Sequence, residues 1–142
     1  MSLGSWDLQV AIRDRLTLGQ VAGGRVFDTP QATAPNVIFP YVGLGETQIL
    51  NIDVLGYQGS DEFLRVHIWD RSNVEGGQRG KKNVKRIADQ IETILNGKDI
   101  AIEGRHSGFA IVSDYLDIPD PDPFTAHAVM TVRVQHFGER NI

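Results

Sequence analysis

Apolar residues recur at three- and four-residue spacing in two parts of the chain, and this spacing is typical of amphipathic helices. The first predicted helix runs from Trp6 to Leu16. The second runs from about Gln78 to Asn96, and Gly97 follows in the C′ position that favours glycine. The two apolar stripes consist of Leu8, Ala11, Ile12 and Leu16 in the first helix and of Val84, Ile87, Ala88, Ile91 and Leu95 in the second.

Between and after these helices the pattern changes to the two-residue alternation of strands. The predicted strands are Arg25–Phe27, Phe39–Glu46, Asp61–Asp70, Ile100–Glu103, Phe109–Leu116 and Ala126–Phe137. Asp61–Asp70 is the clearest of them: Leu64, Val66 and Ile68 share one face, and Phe63, Arg65, His67 and Trp69 share the other. Because this second face mixes apolar and polar side chains, we expect another surface to cover it.

Residues 47–60 are ambiguous. Their alternation favours a longer strand, whereas Gly56 and Gly59 favour a long, mobile hairpin loop. Runs of strands with only two helices indicate an α+β fold, with a mostly antiparallel or mixed sheet and both main helices packed on one face. With 142 residues and neither a repeat nor a linker, we expect a single domain over residues 1–142.

Composition narrows the function. The chain has no cysteine, which excludes disulfides and thiolate metal sites. We see no secretory signal and no apolar run long enough to span a membrane, which is about 20 residues. The formal net charge of −4 argues against dedicated, high-affinity nucleic-acid binding.

The stretch HIWDRSNVEGGQRGKKNVK, residues 67–85, has the order of a phosphate-binding loop: strand, glycines, lysine, helix. The P-loop pattern requires four residues between its glycines and a hydroxyl after the lysine. Here three residues separate Gly76 from Gly80, and Lys82 stands where the hydroxyl belongs. Ser72 and Glu75 fit a capping box, but the glycines that follow favour a helix that begins firmly only near Gln78.

No other motif predicts chemistry. The four histidines form no metal-binding pair, the acidic residues lack the EF-hand spacing, and no serine stands in a nucleophile elbow. His67 and His127 can both project from strand faces, where a packed or solvated histidine is commoner than a metal ligand. We therefore expect neither an enzyme nor a cofactor.

Charged residues form two clusters. Six of the 14 Lys and Arg residues surround the start of the second helix, where the helix dipole disfavours cations; they are Arg71, Arg79, Lys81, Lys82, Lys85 and Arg86. An acidic, proline-stiffened loop carries the opposite charge on Asp114, Asp117, Asp120 and Asp122. The basic cluster is either a solvated face or a contact with this loop, within one subunit or between neighbours, and DNA phosphate is the other candidate acceptor.

The layout of the whole chain resembles the tail-completion, or tail-terminator, proteins of long-tailed bacteriophages, prophages and gene transfer agents. The stretches LQVAIRDRL with GGRVFD, FPYVGLGE, LRVHIWDRS, VKRIADQIETIL and AVMTVRVQHF carry the resemblance, from Leu8 to Phe137. The chain departs from the family pattern in its longer glycine- and lysine-rich insertion at Val74–Lys82.

The resemblance implies a structural protein without catalytic residues, which assembles as a ring, usually a hexamer, on the end of the tail tube and joins it to the head. DNA then passes through the ring. Such a protein assembles in the cytoplasm of the bacterial host and ends in the virion tail. The implied partners are further copies of the chain, the tail tube protein and head connector proteins, with no membrane.

Within this reading, the face of Arg65, His67 and Trp69 and the loop 48–60 are candidates for subunit or tube contact. We expect the basic cluster from Arg79 to Arg86 to meet the acidic loop from Asp114 to Asp122 across subunits. The alternative function is a DNA-contacting head-completion or connector adaptor that uses the same lysines. A small ligand-binding or catalytic domain is a third class, and a deep pocket with convergent polar groups would reveal it.

Overall fold

The computed structural model describes residues 3–29, 37–72 and 78–139, apart from the side chains at positions 78, 79 and 139. The helices are α1 (Ser5–Leu18) and α2 (Gln78–Leu95), and a short 3-10 turn covers Val21–Gly24. The strands are β1 (Val26–Phe27), β2 (Tyr41–Asn51), β3 (Tyr57–Arg71), β4 (Lys98–Ile100), β5 (Gly108–Ile118) and β6 (Thr125–Glu139).

All six strands form one sheet in the order β1-β2-β3-β6-β5-β4. β1 is parallel to β2, and every other neighbouring pair is antiparallel. The two longest strands, β3 and β6, pair along their whole length from Tyr57 opposite Glu139 to Arg71 opposite Thr125. The sheet is therefore mixed, and its centre is the β3–β6 ladder.

Both helices pack on the same face of this sheet. The apolar stripe of α1 buries Leu8, Ile12 and Leu16, and that of α2 buries Ile91 and Leu95, among others. They meet the alternate residues of the central strands, which are Val42, Leu44, Leu64, Val66, Ile68, Ala128, Met130, Val132 and Val134. The predicted α+β architecture, with a mixed sheet and two helices on one face, is confirmed.

The helix boundaries follow the predicted signals. α2 begins at Gln78, and Gly97 lies two residues beyond its end with a φ of +71°, a left-handed conformation that glycine adopts without steric cost. Residues 74–77 of the Val74–Lys82 insertion lie outside the described part of the chain, and with them Glu75 of the Ser72–Glu75 capping box, which therefore stays a prediction.

The structure settles the ambiguous residues 47–60 and shifts the bounds of the predicted strands. Residues 47–60 are mostly strand, because β2 continues to Asn51 and β3 already begins at Tyr57. Gly59 lies inside β3. Only glycine fits there, because a Cβ atom would come within 2.6 Å of the Ile52 carbonyl oxygen. The predicted strand Ile100–Glu103 is β4 at Lys98–Ile100, and the chain then turns at Glu103 and Gly104.

Within the described part of the chain, no helix has the length and apolar character needed to cross a bilayer.

Candidate functional site

The face of the sheet opposite the helices carries a row of stacked rings. Tyr41 stacks on Trp69 with 4.9 Å between ring centroids, and Trp69 stacks on His127 at 4.4 Å. His67 stacks on both Trp69 and His127. The strand register explains the row, because Tyr41, Trp69, His127 and Ile118 lie side by side across β2, β3, β6 and β5. We call Tyr41, His67, Trp69 and His127 the ring stack.

A chain of hydrogen bonds runs along this stack. His67 Nε2 lies 2.8 Å from Glu46 Oε1, and His67 Nδ1 lies 2.9 Å from His127 Nε2. A carboxylate only accepts, so a neutral His67 carries its proton on Nε2 and accepts at Nδ1 from His127 Nε2. Burial, with a smaller contribution from His67, lowers the pKa of His127 to about 4. With a neutral His67, the hydrogen bonds therefore run in one direction, from His127 to His67 and from His67 to Glu46.

Gly45 makes room for this chain. A Cβ atom at that position would come within 2.6 Å of His67 Cδ2 and 2.8 Å of Nε2. The β-bulge between Leu44 and Thr47 then places Glu46 opposite the imidazole. A hydrogen bond from the backbone amide of Glu46, outweighing partial desolvation and reinforced by His67, lowers the pKa of this carboxyl group. Sequence reasoning placed His67 and His127 on strand faces but did not pair them, and it missed Glu46.

Further along the same face, a second acid–base pair is built across β3 and β6. The Arg133 guanidinium donates to both carboxylate oxygens of Asp61, at 2.9 and 2.7 Å, and lies over the Phe63 ring at 5.4 Å. These hydrogen bonds, together with one from Gln135, lower the pKa of Asp61 despite its burial. Arg65, predicted as a contact residue, lies exposed on this face.

A third cluster is buried on the helix face, and the sequence analysis did not find it. His136 Nε2 lies 3.1 Å from Glu62 Oε1, and Ser5 Oγ donates to Glu62 Oε2 at 2.8 Å. Arg105 Nε donates to His136 Nδ1 at 2.9 Å, so this nitrogen accepts and His136 is neutral with its proton on Nε2. The signal was present in the pattern, because Glu62 is in phase with Leu64 and Val66 on the buried face of β3. We call Ser5, Glu62, Arg105 and His136 the buried polar cluster.

The basic and acidic clusters predicted from the sequence lie side by side in one chain. Asp117 Oδ2 is 3.7 Å from Lys85 Nζ and 4.0 Å from Lys81 Nζ. Arg71 donates to Asp122 at 2.7 Å. Lys82 and Arg86 are exposed, and neither has a salt-bridge partner among the described residues.

The acidic loop is also held by its own carboxylates. Asp120 Oδ1 accepts from the Asp122 amide and Asp122 Oδ1 from the Phe124 amide, both at 2.9 Å. The second of these bonds is the largest of several that lower the pKa of Asp122. Asp114 accepts from the Thr131 amide at the bulge in β5. The side chain of Arg79, which was grouped with the basic cluster, lies outside the described part of the chain.

Two clefts flank α2. The larger, of about 410 Å³, lies between α2 and β5 and includes Lys85, Glu92 and Tyr115 in its lining. The Tyr115 hydroxyl donates to Asp117 at 2.6 Å, and burial followed by this bond raises its pKa. The second, of about 300 Å³, lies between Lys81, Val84 and the acidic loop. In residues 3–29, 37–72 and 78–139, no three His, Asp or Glu side chains converge as a metal site would require.

Exposed apolar side chains mark both ends of the sheet. Phe109, Ile111 and Leu116 lie on β5. Leu50 lies on β2 and Phe27 on β1. Exposed apolar side chains that lie together form patches of the kind that bind other proteins.

The comparisons with known proteins agree with this architecture. A chain from a structure titled "Virion of native gene transfer agent (GTA) particle" superposes with a TM-score of 0.75 at 17% sequence identity, over 97% of this chain and 100% of that chain. No curated protein sequence matches the chain. The sequence model of the family described as Tail completion protein gp17 matches residues 7–136. The chain therefore belongs to the tail completion protein gp17 family.

Proposed function

We propose that the protein is a ring-forming tail terminator, a structural virion protein that caps the tail tube and joins it to the head. The observation that carries the proposal is the family match over residues 7–136, which includes both helices and almost the whole sheet. The related fold of a chain from a gene transfer agent particle supports it. In this role the protein assembles in the host cytoplasm and becomes part of the tail.

The chemistry of the surface fits a structural role. The polar groups that the fold brings together are bonded to one another: Glu46 to His67, Asp61 to Arg133, and Glu62 to His136. The exposed features are apolar side chains along the sheet ends and a basic helix face. Surfaces of this kind make contacts between proteins.

Ring formation is tested by sedimentation of the purified chain, with electron microscopy of the particles. A ring-forming subunit gives one closed oligomer, expected to be a hexamer, and it halts elongation when added to growing tail tubes. A chain that remains monomeric at every concentration, and leaves tube growth unchanged, contradicts the proposal.

We propose in addition that the basic cluster contributes to the contact between subunits. Because Lys81 and Lys85 already meet Asp117 in the same chain, Lys82 and Arg86 are the cations with charge to offer a neighbour. Lys82→Glu is therefore expected to weaken association more than Lys81→Glu does, and the difference should shrink as salt screens the charges. Equal sedimentation of wild type and Lys82→Glu at low salt would remove the cluster from the interface.

The alternative, a DNA-contacting connector adaptor, uses the same two cations. It predicts salt-dependent retardation of duplex DNA that Lys82→Glu abolishes. Retardation without oligomer formation would favour the adaptor, and oligomer formation without retardation favours the terminator.

A further inference from the structure

The two edges of the sheet are notched at opposite ends. At one edge, β1 covers β2 only at Val42 and Gly43. At the other edge, β4 covers β5 only at Gly108–Ala110. In the described part of the chain, no strand pairs with the rest of these outer edges, 44–51 on β2 and 111–118 on β5.

Following the register across the sheet shows that these notches are complementary. Gly43, which β1 covers, lies on one row with Leu116 of the uncovered part of β5. Leu50, in the uncovered part of β2, lies on one row with Phe109 and with Asp99 of β4. Each short outer strand therefore stands at the level where the opposite edge is open.

We infer that copies of this chain associate head to tail through these edges, with β4 of one subunit beside β2 of the next and β1 of that neighbour beside β5 of the first. The inference rests on the proposed ring. With strands aligned between subunits, β1 meets β5 antiparallel and β4 meets β2 parallel, so both contacts extend the ladder in an allowed direction. An unpaired strand edge is a template for such pairing.

The exposed apolar residues support the same arrangement. On the face away from the helices, Phe27 (36% exposed) shares a row with Leu116 (59%). Leu50 (48%) shares a row with Phe109 (50%). In the head-to-tail sheet, Phe27 and Leu116 of adjacent subunits approach one another and leave water, whereas Leu50 meets β4 at Asp99, one strand away from Phe109. Two different patches meet in this contact, and repeated contacts of this type close into a ring when the rotation between subunits closes.

Engineered disulfides test the contact, because the chain contains no cysteine of its own. The cross-edge variants are Phe27→Cys with Leu116→Cys, and Leu50→Cys with Asp99→Cys. The matched control, Phe109→Cys with Leu116→Cys, carries two thiols on one edge. After oxidation, the cross-edge variants are expected to give a ladder up to the closed oligomer on non-reducing gels, and the control at most dimers.

The outcomes separate this inference from the proposed ring. An oligomer that sediments normally while neither cross-edge variant gives a ladder overturns the head-to-tail edge contact and leaves the ring intact. A ladder from the same-edge control points to a different interface and also overturns it. A chain that stays monomeric overturns both.

A second measurement removes dependence on the thiols. Leu50→Asp, which faces Asp99 of the neighbour, and Leu116→Lys, which faces Phe27, are expected to reduce the oligomer at least tenfold in sedimentation, with unchanged circular dichroism. Leu18→Lys is the control, since Leu18 is 86% exposed on α1 and lies on neither edge. Equal association of all three variants contradicts the inference.

Discussion

The molecule contains two histidine–carboxylate pairs that differ in the group bound to the second ring nitrogen. In the buried polar cluster, Glu62 occupies one nitrogen of His136 and the Arg105 guanidinium donates to the other. In the ring stack, Glu46 occupies one nitrogen of His67, and the other faces a second imidazole, that of His127. The same chemical pair is completed by an arginine in one place and by a histidine in the other.

The two pairs also differ in their exposure to solvent. The side chains of His136 and Glu62 are 0% and 1% exposed, whereas that of Glu46 is 73% exposed. A buried charge that loses its partner stays without compensation, but an exposed one is taken up by water. The buried polar cluster is therefore expected to matter for stability, and the ring stack for the response to pH.

The largest expected effect follows from removing the acid of the buried pair. Glu62→Ala leaves the neutral His136 and Ser5 without their acceptor, and each donor left unsatisfied in this way costs about 1–3 kcal/mol. The exposed counterpart, Glu46→Ala, should cost under about 1 kcal/mol. Urea unfolding of both variants measures the difference, and equal losses would mean that burial does not separate the pairs.

The next largest effect concerns the packing around the Glu46–His67 pair. Gly45→Ala forces His67 to move, because the new methyl group would lie 2.6 Å from its ring, and overpacking of this kind costs about 1–3 kcal/mol. Gly80→Ala is the matched control. Its new Cβ would lie 3.4 Å from Ala126 Cβ, an ordinary contact, and the substitution gains helix propensity of up to about 1 kcal/mol. A Gly45→Ala variant as stable as Gly80→Ala would show that β2 shifts enough to accommodate the new methyl group without cost.

The response to pH distinguishes the pairs further. Because the pKa of His127 is about 4 in the folded chain and about 6.5 in an unfolded one, the unfolded state binds more protons between these values. Stability is therefore lost as pH falls from about 6.5 to about 4, by about 1–2 kcal/mol after solvent screening. Glu46, Asp61 and Asp122 have lowered pKa values, so their contributions are lost only below about pH 4.

Urea unfolding at several pH values measures this slope in wild type and in His127→Asn. The variant should lose the slope between pH 6.5 and 4, whatever its stability at pH 7. The ionisable groups that act on the pKa of His127 are His67, Glu46 and Asp120, and the two acids act against the shift. His106→Asn, at an exposed histidine on Tyr57, should keep the wild-type slope. An unchanged slope in His127→Asn would assign it to another group.

The sequence predicted the elements of the fold but not these pairs, and the reason is geometric. Periodicity identifies which face of a helix or strand is apolar, as in the Leu64, Val66 and Ile68 row of β3. A side-chain pair across strands depends on register, which the pattern of one strand does not contain. Glu46 meets His67 only because of the bulge in β2, and His127 lies 60 residues away on β6.

Residues 47–60 are ambiguous in the sequence for a related reason. In the sequence, Gly56 and Gly59 both favour a loop, but of the two only Gly56 has a positive φ, of +84°, at the turn. Gly59 instead lies inside β3 against the backbone of Ile52, and its amide donates a hydrogen bond to Asp53 Oδ1. A glycine required by packing and one required by a turn look the same in a sequence, and the partner backbone distinguishes them.

The smallest expected effect extends the comparison to an acid–base contact that is open to water on both sides. Lys85 lies 3.7 Å from Asp117, both side chains are more than a third exposed, and pairs of this kind contribute about 0–1 kcal/mol. Lys85→Ala and Lys82→Ala should therefore unfold within about 0.5 kcal/mol of each other, although only Lys85 has a salt-bridge partner among the described residues. A larger difference in the free energy of unfolding would show that the Lys85–Asp117 contact stabilises the folded chain. Near-equality instead means that any loss of association in a Lys82 variant reports on the contact between subunits, because the folded chain itself is unchanged.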